Sequence, residues 1–220
     1  MIAPVLVSLR LSITVTIILL AAGLPVSKWL VGSRSPVTAM VEAVLSVGMV
    51  LPPTVLGFYF LLVFSPYSPI GRVLEGVFGI RLVFSFAGLV IACCFASFPH
   101  MLSALKSGWK GVDRRTLEAA AVMGKSPVNR FFYVALPQLK TAVYSGVIIC
   151  FAHTLGSFGL VLMVGGSVPG VTRVVSIAIY EEFEAGRMAG AHLYAGILLL
   201  VSCCAVWLLQ AVQRRERRRG

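Results

Sequence analysis

The chain has 220 residues, 58% of them hydrophobic and only 12% charged, with a mean hydropathy of +0.93. Soluble domains carry about one quarter charged residues, so composition excludes a water-soluble domain and points to an all-α integral membrane protein. A net charge of +11 then reads as basic loops facing anionic lipid rather than as a nucleic-acid surface.

Crossing a bilayer core takes about 20 apolar residues. Five stretches qualify: roughly 5–26, 40–64, 83–105, 141–164 and 191–209. The first carries Arg10 inside its apolar run, with no basic cluster ahead of it and no small-residue cleavage site behind it. It reads as a retained span rather than a signal peptide. A re-entrant first segment or a sixth short helix stays open.

In the second stretch, Pro52 and Pro53 of LPPTVLGF remove backbone donors and force a kink or break at membrane depth. Carbonyls freed there are tolerated beside protein or a water-filled path. Two readings stand: a solute path including Pro52, Pro53 and Thr54, or a packed kink with no solute contact. Residues 65–83 read as a turn followed by a short amphipathic helix at the interface. In residues 165–187, Gly165, Gly166, Pro169 and Gly170 cluster in a tight turn before a helical patch with Glu181, Glu182 and Glu184. That loop, with Arg173, either docks a partner or is an ordinary solvated connection.

Fourteen of the nineteen Lys and Arg residues lie before the second span, between the third and fourth, and after the fifth; four lie in the other two loops. The positive-inside rule therefore places residues 106–140 and the C-terminus in the cytoplasm and the N-terminus outside. The five cysteines, Cys93, Cys94, Cys150, Cys203 and Cys204, read as small buried hydrophobes. His100, His153 and His192 stand alone at apolar or interfacial places and read as packing or hydrogen-bonded residues rather than ligands, and no spacing suggests a metal site.

Residues 106–140 are the one long polar interruption, holding seven of the basic residues. Asp113 is placed to cap a helix through Glu118, and Ala119, Ala120 and Ala121 keep one surface low. Gly124 permits a left-handed stop. Ser126 and Pro127 start a second short helix, expected to end at Pro137. These features alone fit either a hairpin anchored to lipid or a socket for a partner.

Glu118-Ala119-Ala120, Gly124, Val134 and Leu136-Pro137 resemble the cytoplasmic E-A-A, G, hydrophobic, L-P signature of ABC importer permeases, with Val134 where isoleucine is common. LPPTVLGFYFLL, SPYSPIG and GGSVPGVTRVVSIAIY extend the resemblance over nearly the whole chain, toward permeases of molybdate/tungstate importers. One departure lies in LGSFG, where Ser157 stands at a position often acidic in that family, so a role for that carboxylate does not carry over.

The resemblance implies a single permease domain over 1–220, with Glu118, Ala119, Ala120, Gly124, Leu136 and Pro137 coupling to an ATPase. It implies a homodimer, two ATPase subunits that bind ATP-Mg, and an oxyanion-loaded extracytoplasmic binding protein. Pro52, Pro53, Thr54, Thr154 and Ser157 are the candidate path residues, and Gly165, Gly166, Pro169, Gly170 and Arg173 the candidate docking residues. With no Walker A pattern and no nucleophile–base–acid set, the chain itself is expected to be non-enzymatic and to hold no cofactor. A permease for another oxyanion such as sulfate is the nearest alternative, and a membrane channel or enzyme with a lipid-anchoring hairpin is the alternative of another class.

Overall fold

The computed structural model describes residues 2–33 and 35–217. Arg34, Arg218 and Arg219, which entered the charge asymmetry, lie outside the described residues. The described chain is helical: α1 (Ile2–Gly32), α2 (Pro36–Val50), α3 (Pro53–Phe64), α4 (Pro69–Phe78), α5 (Phe86–Lys110), α6 (Arg114–Val122), α7 (Pro127–Arg130), a π-turn (Phe131–Ala135), α8 (Leu136–Gly156), α9 (Gly159–Gly165), α10 (Val175–Glu184) and α11 (Met188–Arg217). Four helical stretches are long and apolar enough to cross a membrane, and α2 with α3 makes a fifth if that bent pair is one span.

At the centre stands α5, packed against α1, α2, α8 and α9. Leu11, Val15 and Leu19 of α1 recur every fourth residue and meet Leu89, Cys93 and Ala96 of α5 and Cys150 of α8 in one core. Ser8, Ser12 and Thr16 lie beside that stripe and are buried too; small residues of this kind let membrane helices approach closely. Ser8 is used a second time. Its Oγ accepts from the Val175 amide at 2.8 Å, supplying α10 with the N-terminal cap its own sequence lacks.

The Pro52-Pro53 break is as sharp as the sequence demands, with α2 and α3 meeting at 113°. The fourth span departs from expectation. It does not run unbroken over residues 141–164; α8 starts earlier, at Leu136, and stops at Gly156, and α9 is a separate half-helix packed on α3. Ser157 caps the break: its amide donates to Thr154 O at 3.2 Å, its Oγ to His153 O at 2.9 Å, and its own carbonyl accepts from Ser176 Oγ at 2.8 Å. A β carbon on Gly57 would lie 2.8 Å from Met163 Cβ and 3.1 Å from Leu160 Cα. The two half-helices therefore touch backbone to backbone.

The short helix foreseen after Pro66 is α4, capped by Ser68 and closed by Gly79 at φ 64°. The cysteines divide: Cys93 and Cys150 are buried as expected, whereas Cys203 and Cys204 are exposed on α11. Gly57→Leu should force α3 away from α9 and cost about 1–3 kcal/mol of overpacking. The expected readout is a lowered melting temperature of the detergent-purified protein, while substitution at open Gly32 leaves it unchanged.

Candidate functional site

Two regions concentrate polar side chains. The first is the loop between α5 and α8. Asp113 caps α6 as foreseen, its carboxylate accepting from the Arg115 amide and the Thr116 hydroxyl, both at 2.9 Å. Gly124 adopts φ 76°, and Ser126 caps α7 by accepting from the Asn129 amide at 3.3 Å. Ala120 is turned inward, while Glu118, Ala119 and Ala121 are exposed.

Pro137 does not end the second helix. The chain stays helical from Pro127 to Gly156, because Phe131–Ala135 widens into a π-turn in which the Leu136 amide bonds Phe131 O. A proline lacks the amide that an α-turn would require, and the wider register accommodates it. Gln138 then ties the loop's two arms, its Oε1 accepting from the Asp113 amide at 3.0 Å and its Nε2 donating to Val134 O at 3.1 Å.

The loop's root is buried. Trp109, Val112, Ala135 and Leu139 form a small core of their own, Trp109 Nε1 donates to Ser27 Oγ at 3.1 Å, and Lys28 Nζ stands 5.8 Å from the indole centroid. The tip is bare: Val122, Met123, Phe132 and Tyr133 are 90%, 77%, 55% and 79% exposed. A rooted base with an uncovered apolar tip is the form of a protein-docking surface. The sequence places Phe132 on an apolar side of the second helix with Val128, Phe131 and Ala135, but Val122, Met123 and Tyr133 were missed, although apolar side chains in a polar loop were the available signal.

The second region is a cleft of about 550 Å³ between α2, α5 and α8, lined by Met49, His100, Ser103, Ser107, Gln138, Thr141 and Ser145 among others. A second cleft of about 350 Å³ continues it, sharing Met49, Ser103 and Ser107 and adding Glu42, Ser46, Lys106 and Lys110. Lys106 Nζ donates to Glu42. Two ammonium groups against one carboxylate leave this lining formally positive. Lys106 is half-buried and paired with Glu42, and Lys110 is exposed.

His100 and His153 are packing and hydrogen-bonded residues as expected, but they do not stand alone. The His100 and His153 rings meet at a tilt of 42°, with centroids 4.4 Å apart. His153 Nδ1 hydrogen-bonds Ser97 Oγ at 3.0 Å, and Ser97 Oγ also bonds Thr154 Oγ1 at 3.0 Å. Thr154 is thus tied to this buried group. Thr54, Pro52 and Pro53 lie elsewhere, at the exposed start of α3, where Thr54 Cγ2 packs so close to Gly159 that a β carbon there would sit 2.6 Å away. The five candidate path residues therefore fall into two places.

In the 165–187 loop, Thr172 is fully buried; its Oγ1 donates to Gly165 O at 2.6 Å and accepts from the Val168 amide at 3.0 Å, drawing the turn shut. Gly166 at φ 57° and Gly170 at φ 73° fit that turn, and Pro169 is exposed. Arg173 turns toward its own chain, Nε to Glu181 at 2.6 Å. Glu182 receives Arg187 at 2.8 and 3.1 Å, and that bonding holds its carboxyl below the ordinary range. Tyr180 bonds Glu184, which pushes its phenol up.

A family model for the binding-protein-dependent transport system inner membrane component matches residues 15–218. The chain belongs to that family. It is 37% identical over 212 residues, 96% of this chain and 94% of the relative, to the molybdenum transport system permease protein of Azotobacter vinelandii. It is 28% identical over 222 residues to a probable sulfate transport system permease protein of Nephroselmis olivacea, covering 98% of this chain and 78% of that one. A solved methionine ABC transporter in an inward-facing conformation superposes with a TM-score of 0.67 at 16% identity, over 95% of this chain and 94% of that one. That likeness bears on the fold. The protein is a multi-pass membrane permease subunit of an ABC importer type.

Gln138→Ala removes both clamps on the loop. At about 1 kcal/mol for the lost bonds, the Asp113–Thr116 amides should exchange roughly fivefold faster, with global melting little changed. Glu182 gives a pH prediction of fixed sign. Its folded pKa lies below the ordinary 4.5, so the Arg187 pair stabilises above that value and is lost as pH falls through the lower folded value. Hydrogen exchange over 181–188, corrected for intrinsic rates, should stay flat from about pH 8 to 5 and rise only in stronger acid.

Proposed function

We propose that this chain is the permease subunit of an ATP-driven importer that moves molybdate or tungstate into the cytoplasm by alternating access. The full-length match at 37% identity to a molybdenum permease carries the proposal; the sulfate permease match is weaker. The cleft supports it chemically, since hydroxyls, an amide, an imidazole and a surplus ammonium group suit an oxyanion without trapping it.

In this reading the whole chain is one permease domain, paired with a copy of itself about a two-fold axis. The loop between α5 and α8 faces the cytoplasm, and Glu118, Ala119, Ala120, Gly124, Leu136 and Pro137 form its contact with one of two ATPase subunits. The uncovered Val122 and Met123 suit the same contact. ATP-Mg belongs to those partners, and this chain hydrolyses nothing. On the opposite side, the turn holding Gly165, Gly166, Pro169, Gly170 and Arg173 meets an oxyanion-binding protein. Pro52, Pro53, Thr54, Thr154 and Ser157 belong to the walls that rearrange as the two states exchange, driven by the difference in ATP affinity between them.

The test is reconstitution with the cognate ATPase and binding protein, measuring ATP-dependent uptake of molybdate against sulfate. Gly124→Val puts a β-branched residue at φ 76°, at a cost of about 1–2 kcal/mol, and should lower uptake at least tenfold. Glu118→Ala should weaken ATPase association. Wild-type uptake with both variants indistinguishable from it sinks the coupling assignment; preference for sulfate sinks the molybdate assignment.

A further inference from the structure

Ser97, His100, Ser103 and Ser107 recur every three or four residues along α5, so they form one polar stripe on an otherwise apolar membrane helix. Thr141, Ser145 and Ile149 of α8 face the lower part of that stripe across the 550 Å³ cleft, and His100 is at its inner end. From Lys110, the last residue of α5, to His100 is ten residues, about 15 Å of helix. His100 therefore lies well inside the bilayer.

Polar groups at such depth are costly and concentrate on ion and solute pathways. The two ends of this group have different surroundings. Ser97 and Thr154 are 0% and 2% exposed and spend their hydroxyls on each other and on His153. His100 adds its ring to that cluster by packing at a tilt against His153 while lining the cleft, where an imidazole N–H can donate in either protonation form. No function of interhelical glue requires a second imidazole on the cleft side, since Ser97, His153 and Thr154 already join α5 to α8.

We propose that His100 is a solute-contacting residue of the translocation path, donating a hydrogen bond to the tetrahedral oxyanion as it passes, with Ser103 and Ser145 offering hydroxyls next along the cleft. This rests on the reading of the chain as an oxyanion permease. A single N–H donor on a ring held in place by its neighbour fits a station that an anion must both enter and leave; binding tight enough to trap the ion would stop transport.

The experiment uses the complete importer in proteoliposomes, with molybdate, tungstate and sulfate as probes. His100→Ala should lower the maximal uptake rate at least tenfold at unchanged complex yield, and His100→Gln, which keeps an N–H donor, should recover part of it. In a background with the five native cysteines replaced by alanine, His100→Cys should react with a small water-soluble methanethiosulfonate reagent, and the transported oxyanion should slow that reaction at least threefold. Protection in that assay supports the proposal even where His100→Ala fails to assemble. A thiol at position 100 that stays unreactive in the assembled complex, or that no transported oxyanion protects, overturns it, as does His100→Ala transporting like wild type. Uptake of none of the three ions by the wild-type importer overturns the permease reading itself, and this assignment with it.

Discussion

Backbone amides and carbonyls cannot be left unpaired in hydrocarbon, yet this chain interrupts its helices twice within apolar sequence, at Leu51-Pro52 and at Ser157-Phe158. The architecture follows from how those interruptions are absorbed. At the second, the Ser157 amide, hydroxyl and carbonyl are each bonded, the last by Ser176 from α10. At the first, α3 leaves at 113° and lies against α9, the half-helix released by the other break. The breaks thus answer each other across Gly57 and Gly159, where a side chain would clash with Met163 or Thr54.

α1, α3 and α9 cover much of α5, and on the face it turns toward α2 and α8 the packing is incomplete. Serines and His100 occupy that face where leucines would close it. Gly108 and Gly146 bring α8 close, with virtual β carbons 2.4 Å from Ala142 and 2.9 Å from Met101 Sδ. Tight helix contact and an open polar cleft therefore alternate along a single pair of helices. On the proposed function, that is a wall able to shift without losing its core.

The loop between these helices joins them mechanically. Helix continues without interruption from Pro127 through the π-turn to Gly156, so one rod carries the exposed tip at Val128 and Phe132, the Gln138 clamp and the His153–Thr154 group. Trp109 fixes the other arm to α1 through Ser27. A force applied at the tip reaches the cleft through packed helix rather than flexible chain. For an ATPase partner, that is the physical requirement for coupling.

Local rules made much of this legible beforehand. Hydropathy located every long span, because the bilayer sets a length that composition must meet. Asp113, Gly124, Ser126 and the Pro52-Pro53 break act within a turn of themselves and behave as their residue types dictate. Three features were not legible for one reason: each depends on a contact distant in sequence. The stop at Gly156 is stabilised by Ser176, nineteen residues from Ser157, and hydropathy alone runs straight through it. Pro137 looked like a terminator until the π-turn, seated on Trp109 and Leu139, gave it a register in which no amide is missed. The histidines looked solitary because 56 residues separate Ser97 from His153, and only the packing of α5 on α8 brings them together. Sequence by itself determined the membrane, the spans and the caps; tertiary packing decided where the helices break and which polar side chains meet in the cleft.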